Sequence, residues 1–211
     1  MRYFVIPARK GSKGLPFKNR KLFSFTASSI PEGLRESVIV STDDEEIEKS
    51  AKEWGFSLLK RSESLSVDDV SIRDVLSDVK SHFKMQENDD IIMLYLTYPQ
   101  RTFEDIKGIY DFYKQSSANS LLCKKEAKTT PYLCYHEVGK FNGEKIIEHD
   151  LYRRQDYPKC FEVSHYVAIM KAGIVDKLDN NLYQKDTVFY SIDDVIDVDT
   201  GEDFKRFIIN D

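Results

Sequence analysis

No apolar run in this chain approaches the ~18 residues that would suggest a membrane span, and the opening MRYFVIPARKG does not have the form of a signal peptide. A soluble protein is therefore expected. Cysteine is scarce and odd in number: Cys123, Cys134 and Cys160, with no C-x-x-C among them. That argues against a disulfide framework and fits a reducing cytoplasm. The nine glycines and six prolines gather into no linker, and no repeat or low-complexity tract divides the 211 residues, so one continuous domain over 1–211 is expected. The four histidines (His82, His136, His149, His165) lack metal-binding spacing such as H-E-x-x-H, and no G-x-S-x-G elbow supports hydrolase chemistry. Acid, too, is missing from one place. Residues 1–31 contain no Asp or Glu.

What that segment holds instead is cations. The chain has 31 basic and 36 acidic residues, a formal net charge of −5, which argues against a general nucleic-acid binder. The first 31 residues carry seven of the cations, so the remainder has 24 cations and 36 acids, a net of −12. Size makes no demand for staples: area scaling gives roughly 10,000 Å² folded against about 36,000 Å² unfolded, so about 70% of the surface can be buried.

Strand and helix signals alternate. Tyr3–Ile6 reads as a buried strand, residues 7–20 as a loop, and Ser37–Ser41 as a second strand. Thr42 or Asp43 is expected to cap a helix to about Trp54, with Gly55 beyond its end. Phe56–Leu59 reads as strand, 69–84 as helix, Ile91–Leu96 as a central strand, Thr102 to about Lys114 as helix, and Ser120–Cys123 as strand. Residues of about 124–162 break the rhythm with short polar pieces around Asn142-Gly143, an insertion or flap. Val163–Met170 and Val195–Val198 return as strands, and a last helix starts near Thr200. This alternation predicts a doubly wound α/β fold with a mostly parallel sheet. Ligands of such sheets bind beyond the carboxyl ends of the strands, here the loops after Ile6, Ser41, Leu96 and Val198. Phe103, Tyr110 and Tyr113 recur at helical spacing and are expected to pack the core, as are the cysteines.

Two loops carry chemistry. After the first strand, Arg9, Lys10, Lys13 and Lys18 interleave with Gly11, Ser12 and Gly14. Glycine lets backbone N–H groups approach a ligand, and the cations neutralise negative charge, so the loop reads as a polyphosphate cradle; a solvated basic loop is the other reading. At the other end of the chain, Asp197 and Asp199 are two residues apart, which on a strand puts both carboxylates on one face. Hard oxygen ligands of this kind suit Mg²⁺ bridged to phosphates. Six acids crowd residues 193–203, so a solvated run is an open alternative, and Asp193 and Asp194 compete for the role.

The stretch Ile6-Pro-Ala-Arg-Lys-Gly-Ser-Lys-Gly-Leu-Pro-Phe-Lys-Asn19 resembles the opening signature of the CMP-N-acetylneuraminate synthetases (acylneuraminate cytidylyltransferases). Further matches follow in order: VIVSTDDEEI at 38–47, Arg61 with Leu65 and Asp68, Thr97-x-Pro-x-Arg101, Arg154-Gln155, and Asp197-Val-Asp-Thr200. The resemblance implies a nucleotide-diphospho-sugar transferase-like fold, a homodimer built through about 120–165, and CTP as co-substrate. It implies that Ala8, Arg9, Ser12, Lys13, Lys18 and Asn19 contact the phosphates and cytidine, with Arg9, Lys13 and Lys18 also serving catalysis. Arg61 and Ser71 fall where the family has further nucleotide contacts; a surface arginine and a helix-start serine are their plain alternatives. The family pattern selects Asp197 and Asp199 as the Mg²⁺ pair. The implied reaction is attack of an acidic sugar on the α-phosphate of CTP, giving a CMP-sugar and pyrophosphate.

The acceptor half departs from the family. Its L-Q-P-T-S-P-L-R is here Leu94-Tyr-Leu-Thr-Tyr-Pro-Gln-Arg101, so Tyr95 replaces an amide that touches the sugar. Its R-P-N-G-A is here Glu162-Val-Ser-His-Tyr166, an acid in place of the cation for the sugar carboxylate. Arg153 or Arg154 is the candidate substitute cation. Tyr95, Thr97, Arg154, Glu162 and His165 are thus the candidate acceptor residues. The alternatives are a cytidylyltransferase for a non-sialate acceptor, or a catalytically silent nucleotide-binding relative.

Overall fold

The computed structural model describes residues 1–67 and 69–210. Its strands are β1 (Arg2–Ala8), β2 (Val38–Thr42), β3 (Ser57–Lys60), β4 (Asp90–Met93), β5 (Ser120–Glu126), β6 (Tyr135–Val138), β7 (Asn142–Lys145), β8 (Phe161–Lys171) and β9 (Val188–Ser191). Its helices are α1 (Lys18–Ser28), α2 (Glu45–Glu53), α3 (Ile72–His82), α4 (Phe103–Gln115) and α5 (Gly201–Asn210). Seven strands form one sheet in the order β3-β2-β1-β4-β8-β5-β9, and β6-β7 make a separate hairpin. Every pairing in the large sheet is parallel except those of β8, which runs antiparallel to both β4 and β5.

Alternation along the strands divides two apolar layers. Phe4, Ile6 and Ala8 point one way with Val38, Val40, Ile92, Val167 and Ile169, and meet α1, α2, α4 and α5 through Leu22, Ile47, Ile109 and Phe207. Val5, Ile39, Ile91, Met93, Ala168 and Met170 point the other way, against Leu76 and Val79 of α3 and the turns at Ala172–Lys177. Helices thus cover both faces of a sheet that is buried on both, as the near-continuous apolar strands require. Tyr113 lies in this core with Phe103 and Tyr110 packed at its margin. Among the described residues no helix is long and apolar enough to cross a membrane.

Several elements differ from expectation. The strand at 195–198 does not form; β4 ends at Met93, and the backbone of that segment meets the turn above it through the Val198 amide, donating to Thr97 O at 2.8 Å, with no ladder. The sheet edge is β9 instead, whose VFYS was too short and too weakly punctuated to stand out. The loop expected over 7–20 is really 9–17. Its helix, α1, was hidden because the N-cap is Phe17, in a left-handed conformation (φ 55) with no side-chain cap. The flap hairpin turns at 139–141, with Gly139 (φ 67) in the left-handed position, so Asn142-Gly143 lies on β7 rather than in the turn. Helix α2 is capped by Asp44, whose side chain accepts from Glu46 N, while the Thr42 hydroxyl donates to Ala8 O and accepts from Asp44 N. Only Cys123 of the three free cysteines is buried. The solvent-accessible surface, 12366 Å², exceeds the scaling value because β6 and β7 are exposed along nearly their whole length.

At the amino ends of the strands, Asp90 is a buried hub. It accepts from Lys171 at 2.6 Å, Tyr110 at 2.8 Å and Lys114 at 3.2 Å. Burial alone would raise its pKa, but these hydrogen bonds outweigh it and hold the carboxyl below its usual value. A depressed folded-state pKa gives stability that is present above the unfolded value near 3.9 and lost as pH falls through the folded one. Asp90→Asn is therefore expected to cost about 2 kcal/mol at pH 7 and to flatten the loss of stability below about pH 4. Urea unfolding at pH 7 and pH 3 checks this. An unchanged acid limb would remove Asp90 from the account.

Candidate active site

Strand order reverses between β1 and β4, the place where open α/β sheets bind ligands. A cleft of about 340 Å³ opens there, within the range of small-molecule sites. One wall is the loop after β1 and the start of α1, contributing Arg9, Gly11, Ser12, Lys18 and Asn19. Its backbone is braced from behind: Asn19 Nδ2 donates to Arg9 O at 2.7 Å, and the Lys10 amide donates to Asp43 at 2.7 Å. Arg20 pairs with Asp44 at 2.8 Å. Asp43 and Asp44 thus buttress this loop rather than line the cleft. The first turn of α1 borders the same wall through Lys18 and Asn19, and a helix N-terminus favours an anion there.

The facing wall carries Asp197 and Asp199. Buried Val198 lies between them and points into the core, so alternation places both carboxylates on the cleft side although no ladder forms. Asp197 Oδ2 accepts from the Tyr98 hydroxyl at 2.8 Å, and Asp199 Oδ1 accepts from Lys18 Nζ at 2.6 Å across the cleft. Gly14 joins the walls by packing on the Asp199 backbone: a Cβ built there would sit 2.4 Å from Asp199 O. Gly14→Ala must push the two backbones apart. The expected result is a fall in kcat/KM of about 10²-fold with little change in Tm, read from steady-state kinetics and a thermal melt.

Arg61 lies at the cleft's inner side, buried, donating to Ser41 O at 3.0 Å. Burial lowers its pKa and nearby Arg9 adds to this, while Asp43 opposes it. Two cations this close, one of them buried, favour an anionic ligand. The floor is Tyr95, Thr97, Tyr98 and His165. Burial pushes the Tyr95 phenol up to about 12, with Arg61 opposing and Asp197 adding to the shift. The His165 ring meets Tyr95 edge-on at 5.8 Å and its Nε2 bonds Asn181 O at 2.9 Å. Leu65, Val67, Val70, Ile72 and Val75 complete an apolar side.

Of the sequence candidates, Arg9, Ser12, Lys18, Asn19, Arg61, Tyr95, Thr97, His165, Asp197 and Asp199 come together here. Others do not. Ala8 is buried in β1, its carbonyl bound by Thr42, and Lys13 is exposed outside the lining. Ser71 caps α3 by accepting from Asp74 N, its plain alternative role. Glu162 sits on the exposed end of β8 beside Lys125 at 3.5 Å, so its charge is balanced away from the cleft. The side chain of Arg154 and the whole of Asp68 lie outside the described residues. Tyr98 joins the site without a signal in the sequence, because the tyrosine of Thr97-x-Pro acquires its role only through the hydrogen bond its hydroxyl donates to Asp197.

Among the described residues no group of three or more His, Cys, Asp or Glu could hold a metal by itself. Mg²⁺ needs fewer: one or two carboxylates with substrate phosphates and water complete its octahedron. The pair Asp197/Asp199, opposite a cationic loop, fits that requirement.

A mostly parallel sheet with a basic loop facing paired carboxylates at its switch point defines a nucleotidyltransferase. The family model described as Cytidylyltransferase matches residues 3–122. The chain belongs to the cytidylyltransferase family and is a CTP-dependent nucleotidyltransferase. It is 31% identical to the post-translational flagellin modification protein B of Campylobacter coli, over 98% of this chain and 94% of the relative. It is 28% identical to the CMP-N,N'-diacetyllegionaminic acid synthase of Legionella pneumophila, over 95% and 91%. The N-acylneuraminate cytidylyltransferase of Streptococcus agalactiae matches at 27% over 97% of this chain, which spans about half (52%) of that relative's length. Among solved structures, a CMP:2-keto-3-deoxy-manno-octonic acid synthetase complexed with CTP shares the fold at a TM-score of 0.69 and 14% identity, covering 99% of this chain and 97% of that one.

Proposed function

We propose that the chain activates an acidic, nonulosonic-type sugar with CTP, giving a CMP-sugar and pyrophosphate. The observation that carries this reading is the Lys18–Asp199 pair, which spans a cleft with phosphate-binding chemistry on one side and metal-binding chemistry on the other. In the reaction, an acceptor hydroxyl oxygen attacks the α-phosphorus in line, the bond from that phosphorus to the bridging oxygen of pyrophosphate breaks, and the hydroxyl proton passes to solvent. Arg9, Ser12, Lys18 and the α1 amides hold the triphosphate, and Lys18 neutralises the charge that grows on leaving pyrophosphate. Lys13 joins them from the loop's outer side, and Asn19 and Arg61 serve the cytidine. Mg²⁺ held by Asp197 and Asp199 supplies polarisation of the phosphate oxygens. Tyr95, Thr97 and His165 receive the acceptor, with Arg154 as the candidate for its carboxylate.

The whole of 1–211 acts as one nucleotidyltransferase domain, in a reducing cytoplasm that suits three free thiols. Residues of about 124–162 form a flap that pairs two copies. Exposed Leu133, Tyr135, Val138, Phe141 and Ile146 on and beside its hairpin supply an apolar surface of the kind that marks an interface. Relatives named for legionaminic and acylneuraminic acids set the acceptor panel. Pyrophosphate release with CTP, Mg²⁺ and N-acetylneuraminate, N,N'-diacetyllegionaminate or 3-deoxy-octulosonate tests the reading, and the absence of any CMP product across the panel overturns it. A second reading, a non-sialate acceptor, is favoured by Tyr95 at a position where the family has an amide.

A further inference from the structure

The two carboxylates of the proposed metal pair are held in unlike ways. Asp199 is 64% exposed and is met by a cation, Lys18. Asp197 is met by a neutral donor from a side chain that is itself locked. Tyr98 is 5% exposed. Its hydroxyl gives its proton to Asp197 Oδ2 at 2.8 Å and receives one from Ser164 Oγ at 3.3 Å. Its ring stands edge-on to Tyr166 at 5.5 Å, and Tyr166 is pinned in turn by donating to Asp105 at 2.8 Å. The segment that carries Asp197 has no ladder to fix it. It hangs on the turn after β4 by three hydrogen bonds: Val198 N to Thr97 O at 2.8 Å, Gln100 Nε2 to Ile196 O at 3.0 Å, and Tyr98 to Asp197. The first two fix the backbone. Only the third acts on the carboxylate.

We propose that Tyr98 is the positioning residue of the metal site: its hydroxyl fixes one oxygen of Asp197 and so orients the carboxylate for the divalent cation. This rests on the reading of Asp197 and Asp199 as the metal pair. A neutral donor suits the role, since a cation there would cancel the charge that attracts the metal, whereas a hydroxyl orients the carboxylate and leaves it −1. Partners of this kind are worth 10–100-fold in metal affinity.

The test is Mn²⁺ binding in the presence of saturating CTP and without acceptor, followed by electron paramagnetic resonance, for the unaltered protein, Tyr98→Phe and Asp197→Asn. Phenylalanine keeps the ring against Tyr166 and removes only the hydroxyl. Tyr98→Phe is expected to weaken Mn²⁺ binding by about 10-fold or more and to raise the Mg²⁺ concentration needed for half-maximal turnover in step. Metal-free CTP affinity should stay within about twofold. Mn²⁺ affinity unchanged in Tyr98→Phe but lost in Asp197→Asn overturns the positioning role and keeps the metal pair. Affinity unchanged in both overturns the metal assignment itself. Parallel weakening of metal-free CTP binding would reduce Tyr98 to a packing residue.

Discussion

Asp199→Asn is expected to turn over CTP on the order of 10²–10³-fold more slowly than the unaltered enzyme, a loss of roughly 3–4 kcal/mol of transition-state stabilisation. The substitution is nearly isosteric and the side chain is 64% exposed, so the Tm should scarcely move. Two effects combine. The amide is a far poorer ligand for a hard cation, and it releases Lys18 from its partner before nucleotide arrives. The second effect predicts a signature: with Lys18 already free, metal-free CTP should bind Asp199→Asn as well as or better than the unaltered protein, while kcat falls. Initial rates of pyrophosphate release and calorimetric CTP binding separate the two. Intact turnover in this variant would remove Asp199 from the metal pair.

Arg101→Met is expected to be the most damaging change to stability. Arg101 is 2% exposed; its guanidinium donates to Tyr166 O at 2.6 Å, Tyr95 O at 2.9 Å and Thr26 Oγ1 at 3.3 Å. Burial pushes its pKa down to about 10, countered by Tyr166 and other neighbours, so it stays charged at neutral pH. Methionine fills much of the volume and satisfies none of the carbonyls. Charge-assisted bonds are each worth about 1.5–3 kcal/mol, and stranded buried acceptors cost more, so about 4 kcal/mol is expected overall. For a chain of this size that lowers the Tm by about 10 °C. Two of the acceptors belong to residues flanking the cleft floor, so the surviving folded fraction should also show a raised KM for the acceptor. A melt shifted by under about 3 °C would show that water replaces the guanidinium.

The parts of this protein legible in the sequence are those where local chemistry and the final fold agree. The capping box of Thr102 and Asp105 opens α4 where expected, and apolar runs such as SVIVS become buried parallel strands because both faces are covered. The basic loop and the Asp197/Asp199 pair could be found because their residue types are unusual for their surroundings. What escaped depends on partners far along the chain. Phe17 as an N-cap obeys no capping rule, Tyr98 acquires a role only through a residue 99 positions away, and the apolar side of the cleft from Leu65 to Val75 looks like any helix approach. Glu162 stands at the motif position of a family arginine, yet its neighbour in the fold, Lys125, comes from another strand that the motif does not include.

Strand β8 has one more consequence. It is the bridge between β4 and β5, yet it emerges from the ribosome some forty residues after β5 has been made. If the strands pair as they are made, the growing chain until then has β1–β4 as a parallel sheet whose β4 edge lacks its partner β8. Such an edge invites pairing with other chains, and the long sequence separation slows its closure. Folding during synthesis is thus expected to pass through an interval in which the β4 edge is open to other chains, ending when residues 161–171 pair with it. Changes that delay β8, rather than those that weaken the finished cleft, are the ones that should decide how much soluble protein a cell obtains.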